Sequence, residues 1–377
     1  MKLANRRTLA RVADPVRQPK RILDAIFSPV GTWVDKIRLI PLLYHVKFNS
    51  IEDLFEEEEV DTLTCLQRKY KFSDKMIKEF FTPFFEGIYL CSLDNQSSRM
   101  FHFVLKMFSD GDATLPTGGM QAVSDQLVEK AKKLDVDVRM NTAVDSISLN
   151  SNSYTVSSSP SSSSSSPTTT LTAKKVICAT EYLAARRLLS KIQGLEMIIE
   201  EESQSQKSAA CIYYCFKGNA PVVDPLVILN GEGTGPINNV SFPSNVNSSY
   251  SPPGYSLCSV ALANNAMAIY RNKEDELDKA VRAQLATWFE EYSEDILSKW
   301  VRKGQVYEIK NAQPNQIGGA FPANVNEGRV CTKFGNTDLP PGLFVCGDHM
   351  VSGLHIWMLF FYVHRIFHRC INSFCKT

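Results

Sequence analysis

"LPTGGMQAVSDQLVEKAKKLDVDVRMNTAVDSISLN", Leu115 to Asn150, is the most organised stretch of the chain. Gly118–Gly119 makes a turn, and a helix follows with Met120, Val123, Leu127 and Ala131 on one face. "VDVRM" then alternates as a short strand, and a second strand runs about Val144–Leu149. This rhythm predicts a βαβ-like unit whose crossover helix packs on a sheet. Two more pieces extend it. "AKKVICATEYLAARRLL" reads as a buried strand, Val176–Ala179, turning into a helix through Leu183, Ala184, Leu188 and Leu189. The turn "LPPG" feeds a last strand, "LFVCGD", Leu343 to Asp348. A parallel strand ending in Gly-Asp puts that pair at the carboxyl edge of a sheet, where ligands of open α/β sheets sit. Gly347 lets a ligand approach the backbone, and Asp348 can accept hydrogen bonds from polyol hydroxyls. The pair is also an ordinary turn, and spacing alone leaves both readings open.

The segments around these pieces differ in character. Residues 1–110 read as mostly helical, with breaks at Pro29–Gly31, Pro41, Pro83 and Gly87. Ser50 with Asp53 three residues on is close to a capping box. The run Glu56–Glu59 reads as a solvated face near a helix start rather than a metal site. "FTPFFEGIYL" and Met100–Phe108 are rich in aromatics, which fill a core or line an apolar pocket. The Ser/Pro/Thr tract within 151–170 is too polar to offset its ordering entropy and reads as a loop at a hairpin tip. Residues 207–265 read as several strands, 274–303 as an amphipathic helix with Val281, Leu285, Trp288 and Tyr292, and 304–316 as extended chain.

The totals exclude several classes. Apolar content is 44% and charged content 21%, ordinary for a soluble globular protein of 377 residues and about two domains. Lys and Arg number 41 against 40 Asp and Glu, which gives no footprint for nucleic acid. No apolar run reaches the ~20 residues that span a bilayer. The ten cysteines stand singly, without a CxxC pair, so a zinc site is not expected, and they suit a reducing compartment. The six histidines show no metal spacing; His364 and His368 are four apart but lack a carboxylate. No compact apolar stretch follows Met1 as in a signal peptide. The first residues are Arg-rich and acid-poor like a transit peptide, but poor in Ser. "NGEGTGP", Asn230 to Pro236, fails as a phosphate loop because its third Gly comes one residue early and Pro236 replaces a helix start; a hairpin turn accounts for it.

At this point a family resemblance enters. "LPTGGMQAVSDQLVEKAKKLDVDVRMNTAVDSI" resembles the P-x-G-G-M segment of flavin-dependent amine oxidases, phytoene desaturases and protoporphyrinogen oxidases. "KKVICATEYLAARRLL" is similar to their VVxATP strand and helix, and "LFVCGD" to their final FAD-contacting strand. "FFEGIYL", "MFHFVLKMFSDGDATLP" and "PLVILNGEGTGPINNVSFPSNV" resemble a plant and cyanobacterial subgroup, covering roughly residues 12–353 in all. The resemblance implies an α/β chain in which an incomplete, Rossmann-like FAD-binding domain interleaves with an α+β substrate domain. Its segments would be 1–115 (helical, substrate), 116–195 (FAD), 196–330 (sheet, substrate), 331–353 (FAD) and a divergent tail, 354–377. It places Val144 beside the adenine, Ala179 near the adenosine half, and Gly347 and Asp348 at the pyrophosphate and ribityl chain. The implied chemistry is hydride transfer from a small apolar substrate to a noncovalent FAD, with no acid or base named.

Two departures qualify this. The resembled family opens on a GxGxxG unit upstream of where this chain starts. After the Gly-Asp pair, "LHIWMLFFYVHRIFHRC" stands where a helix of small residues is expected, with Trp357 and Phe360 where Gly or Ala would meet the flavin ring. The expectation is therefore weak or no FAD binding by this chain alone. The alternative to an active enzyme is a truncated, catalytically inactive isoform that serves as a binding or regulatory protein or does not fold stably. Membrane association through residues 354–370 ranks below both, because the two faces of that segment are not divided. The plant-like resemblance points to the chloroplast, with the cytoplasm as the alternative.

Overall fold

The computed structural model describes residues 2–5, 8–11, 27–111, 113–160, 169–192, 195, 207–313, 333–334 and 337–346. The chain forms two compact units, each from two separated segments: 1–124 with 205–318, and 125–204 with 319–377.

The mostly helical reading of residues 1–110 fits the described residues from Trp33 onward, but two strands come first. Lys2–Asn5 (β1) and Thr8–Arg11 (β2) pair as an antiparallel hairpin. Helices follow as α1 (Trp33–Phe48), α2 (Ile51–Glu56), α3 (Thr82–Tyr89) and α4 (Ser98–Asp110). Two π-helical turns, Cys65–Lys69 and Ile77–Phe81, lie between them. Capping boxes start α1 at Thr32 with Asp35 and α2 at Ser50 with Asp53, the latter as the spacing predicts. The expected breaks at Pro41, Pro83 and Gly87 do not occur. Pro41 lies inside α1 on its exposed side, so the carbonyl of Ile37 that it leaves without an N–H partner is on the exposed side as well. Pro83 stands in the first turn of α3, where no N–H is needed. Gly87 is kept for contact: a Cβ there would meet Asn238 Oδ1 at 2.5 Å.

The aromatics of this region fill the core. Phe81, Phe85 and Tyr89 follow one another at four-residue spacing and face α4, with the Phe85 and Phe101 rings 4.8 Å apart. They do not line the cavity described below.

Next come α5 (Gln121–Lys132), β3 (Thr142–Leu149), β4 (Tyr154–Pro160), β5 (Thr169–Ala173), β6 (Val176–Cys178) and α6 (Tyr182–Leu189). Here the βαβ expectation fails in part. No residue of α5 is buried. "VDVRM" is not a strand; positive φ at Asp135 and at Asn141 isolates it from α5 and β3. β3 pairs antiparallel with β4, and β4 with β5, because local hairpin closure takes the ladder. The Ser-rich residues 161–168 between β4 and β5 lie outside the described residues.

The remaining elements are β7 (Lys207–Lys217), β8 (Val227–Asn230), β9 (Ile237–Ser241), β10 (Tyr255–Leu262), α7 (Glu274–Trp288), α8 (Ser293–Ser298), β11 (Val301–Arg302), β12 (Tyr307–Gln313), β13 (Lys333–Phe334), β14 (Thr337–Asp338) and β15 (Leu343–Val345). In the first unit one sheet runs β11-β7-β10-β9-β8-β1-β2, with β12 also on β7. All its pairs are antiparallel except β1 with β8. Alternation along β7 and β10 sends Ile212, Tyr214, Phe216, Cys258 and Val260 into a core closed by Leu277, Val281 and Leu285 of α7. Phe216 stacks on Trp300 at 4.0 Å.

In the second unit β15 pairs parallel with β6, Leu343 opposite Val176 and Val345 opposite Cys178. One core joins this pair to the three-stranded sheet: Ile147, Tyr154, Cys178, Ala185, Leu189, Leu343 and Val345. The "LPPG" turn is held twice. Tyr154 Oη donates to the Pro341 carbonyl at 2.8 Å, and Val176 N–H donates to the Gly342 carbonyl at 2.8 Å.

Candidate functional site

The parallel pair in the second unit makes the edge that the sequence predicts. Past the last paired residues, Cys346 N–H still donates to the Cys178 carbonyl at 3.0 Å. Ala179 therefore follows β6 at the same edge from which the chain leaves β15, and it is exposed. Val144 is exposed on β3, at the register shift between Val144 and Ser146. Lys191 Nζ ties α6 to the neighbouring Asp145 carbonyl at 2.8 Å. Val144 and Ala179 thus stand on different sheets that share one core. Gly347 and Asp348 lie outside the described residues, as does the His364–His368 pair. The strand expected to be buried is so only at Cys178; Val176 is half-buried and Ile177 exposed, and Ala179 follows at its carboxyl end.

The first unit holds a cavity of about 1120 Å³ between α3 and the ends of β7, β8, β9 and β10. Pro83, Leu90, Ile237, Ile269 and Tyr270 form its apolar wall. Lys78, Glu86 and Lys207 bring charge, and Asn95, Asn230, Asn238, Asn264 and Asn265 bring amides. The wall at β8 and β9 is pinned. Asn230 Nδ2 donates to the Thr234 and Ile237 carbonyls at 2.7 Å each, and its Oδ1 accepts from Glu232 and Gly233 N–H. Gln284 of α7 reaches the same turn, donating to Thr234 O and accepting from Ile237 N–H. "NGEGTGP" is thus the hairpin turn the sequence predicts. Burial, helped by the charge of Asp94, raises the Glu86 carboxyl to about 7. A carboxyl in this range exchanges a proton near neutrality. Sequence reading named no acid or base; Glu86 sits among core aromatics in the chain and has no local signal of its own.

A second cluster escaped sequence reading altogether. His45 of α1, Glu57 after α2 and His102 of α4 offer ligand atoms all within 4.8 Å of one another, the only such group among the described residues. Glu57 Oε1 lies 2.7 Å from His45 Nε2, and Glu57 Oε2 lies 3.4 Å from His102 Nδ1, off the line of a hydrogen bond. His102 Nε2 and Tyr70 Oη are 2.9 Å apart. Lys69 Nζ, on the first π-turn, is 3.0 Å from Glu57 Oε2 and supplies the positive charge at this point. Burial would raise Glu57, but its contacts with His102 and Lys69 prevail and hold it at about 2. Burial lowers both histidines against the pull of Glu57. Glu59 also has partners, Ser97 Oγ and Arg99 at 3.9 Å. Glu56 and Glu58 of the acidic run are exposed, as a solvated face predicts, whereas Glu57 is the hub of an ion network.

The family model for flavin containing amine oxidoreductase matches residues 10–356, and the chain belongs to that family. It is an FAD-dependent oxidoreductase acting on a small molecule. Solved structures share the fold. An oxidoreductase from Methanosarcina mazei is similar over 85% of this chain and 68% of its own, at 16% identity and a TM-score of 0.61. A protein assigned as a protoporphyrinogen oxidase from Exiguobacterium sp. 255-15 is similar over 93% of this chain and 76% of its own, at 14% identity and a TM-score of 0.59. Putrescine oxidase bound to putrescine is similar over 85% and 72%, at 14% identity and a TM-score of 0.56. At these identities the likeness shows the fold alone. No curated protein matches the chain by sequence.

Proposed function

We propose that the second unit carries the FAD and the first unit the substrate, and that the cavity beside α3 receives it. The Glu86 carboxyl, raised to about 7 within that cavity, carries this reading. Bound FAD supplies the hydride acceptor; this chain's residues bind, orient and exchange the proton. Val144 and Ala179 hold the adenosine half, with Gly347 and Asp348 carrying the pyrophosphate and ribityl chain by the family resemblance. The cavity wall does not suit a wholly apolar substrate. Its apolar side matches an apolar body, and its lysines, asparagines and Glu86 match a polar end that gives up a proton. Glu86 accepts that proton at its carboxyl.

The test starts with protein purified in the presence of FAD. Near-stoichiometric flavin absorbance that bleaches anaerobically with a substrate from a panel of amines and polar-ended hydrocarbons supports the reading. Activity then rises with pH through about 7. Glu86→Gln lowers the rate by roughly two orders of magnitude and flattens that rise while flavin stays bound. Protein that retains no flavin, or a Glu86→Gln profile unchanged from wild type, overturns it.

A further inference from the structure

Helix α1 is built inside out. Its buried side is the narrow one, Asp35, Leu42 and Val46. Its exposed positions carry Trp33, Val34, Ile37, Ile40, Tyr44 and Phe48, together with Pro41, and only Lys47 among them is charged. The exposure is large: Trp33 58%, Ile37 66%, Ile40 65%, Tyr44 65% and Phe48 71%. At about 100° per residue these positions fall within an arc of about 140°, opposite the buried side. The stripe runs the full length of the helix, about 24 Å. Phe27, also exposed, continues it, with its ring edge-on to Trp33 at 6.0 Å. A soluble helix of this kind shows the reverse pattern, with charge facing outward.

We propose that this stripe seats the protein on an anionic lipid surface, with α1 lying in the plane of the interface. Three observations select lipid over a protein groove. The flanks of the stripe carry cations on both sides, Lys36 and Lys47 on one and Arg38 on the other. The one acid of the helix, Asp35, is buried on the far side, where it caps the helix and bonds Ser73. Lys47 also meets Asp110 at 2.9 Å, and Lys36 lies over the Trp33 ring at 4.6 Å with its ammonium reaching the Ser28 carbonyl. Both stand at the edge of the stripe, and on a bilayer they exchange these partners for headgroups. Finally, Trp33 and Tyr44 supply amphipathic rings suited to that depth, and Ile37 and Ile40 lie between them. At 16 residues α1 is too short to span a bilayer, and among the described residues no helix is long and apolar enough to do so. It lies on the surface rather than crossing it.

Flotation of the full-length flavoprotein with vesicles tests this. The protein floats with phosphatidylcholine vesicles containing phosphatidylglycerol, less with phosphatidylcholine alone, and less as salt rises. Ile37→Asn with Ile40→Asn, both at exposed positions, lowers the bound fraction by about tenfold or more. Lys36→Glu with Lys47→Glu abolishes the preference for the anionic lipid. A quencher carried on the lipid chains dims wild-type emission more than that of Trp33→Phe, which reports the helix directly. Unchanged flotation of the Ile37/Ile40 variant overturns the proposal, as does a wild type that floats with neither vesicle. A wild-type dimer that ignores vesicles and becomes monomeric in that variant overturns it too, in favour of a second copy of the chain on the stripe.

Discussion

Gly342 shows how much one residue can carry. Its φ is +87°, and a Cβ there would stand 2.8 Å from the Lys174 carbonyl oxygen. Both conditions favour glycine, and the neighbour is backbone that cannot give way cheaply. Gly342→Ala is expected to cost about 2–3 kcal/mol. It loosens the β6–β15 pair, read as a lower denaturant midpoint and faster hydrogen exchange at Val176–Cys178. The His45–Glu57–His102 network makes a second prediction at this scale. Both histidines titrate below their ordinary 6.5 in the folded protein, so the unfolded chain takes up protons first as pH falls. Stability is therefore lost on going below about 6.5. Each histidine adds up to about 1.4 kcal/mol per pH unit. Glu57, held at about 2 against 4.5, adds a further loss between those values. His102→Gln should flatten the fall of the melting temperature between pH 6.5 and 5; an unchanged slope would show that His102 is not part of it. The network was not legible in the sequence. Positions 45, 57 and 102 belong to three elements with no common period, and a run of four acids looks solvated until its partners are placed.

At the scale of elements, the legible parts were those whose burial has a simple period. β7 and β10 alternate cleanly because one sheet face meets α7, and α7 repeats Leu277, Val281 and Leu285 along one side. Leu285→Ala should remove about 2–5 kcal/mol, measured by chemical denaturation. The capping box of α2 and the turn at Asn230–Pro236 were equally readable, since both are closed by local hydrogen bonds. Pro41 was misread because its cost depends on which way it faces. On the exposed side of α1 the unmatched carbonyl of Ile37 need not be desolvated by the core. Pro41→Ala restores a helical hydrogen bond and should raise the melting temperature, by an amount worth about 1–3 kcal/mol. The aromatics of α3 and α4 were readable as apolar, but not as core rather than cavity wall. That choice is made by the opposite face of the same helix, where Glu86 and Leu90 stand.

Across the whole molecule, each unit is assembled from segments far apart in the chain. The parallel alignment of β6 with β15 joins residues whose numbers differ by 167 at Leu343 and Val176. Such pairings form late, because a long loop must close before they stabilise anything. The sequence marked both strands but not their pairing, and the antiparallel partner of β3 was hidden behind the stronger signal of α5. Gly87 has a further effect at this scale. With no side chain there, the helix backbone rests directly on Asn238, and Asn230 with Gln284 clamps the turn opposite. The chamber between them is cut to size when the polypeptide folds. Selection among candidate molecules would then follow from the dimensions of a rigid mould, and redrawing that repertoire means changing its walls rather than a hinge.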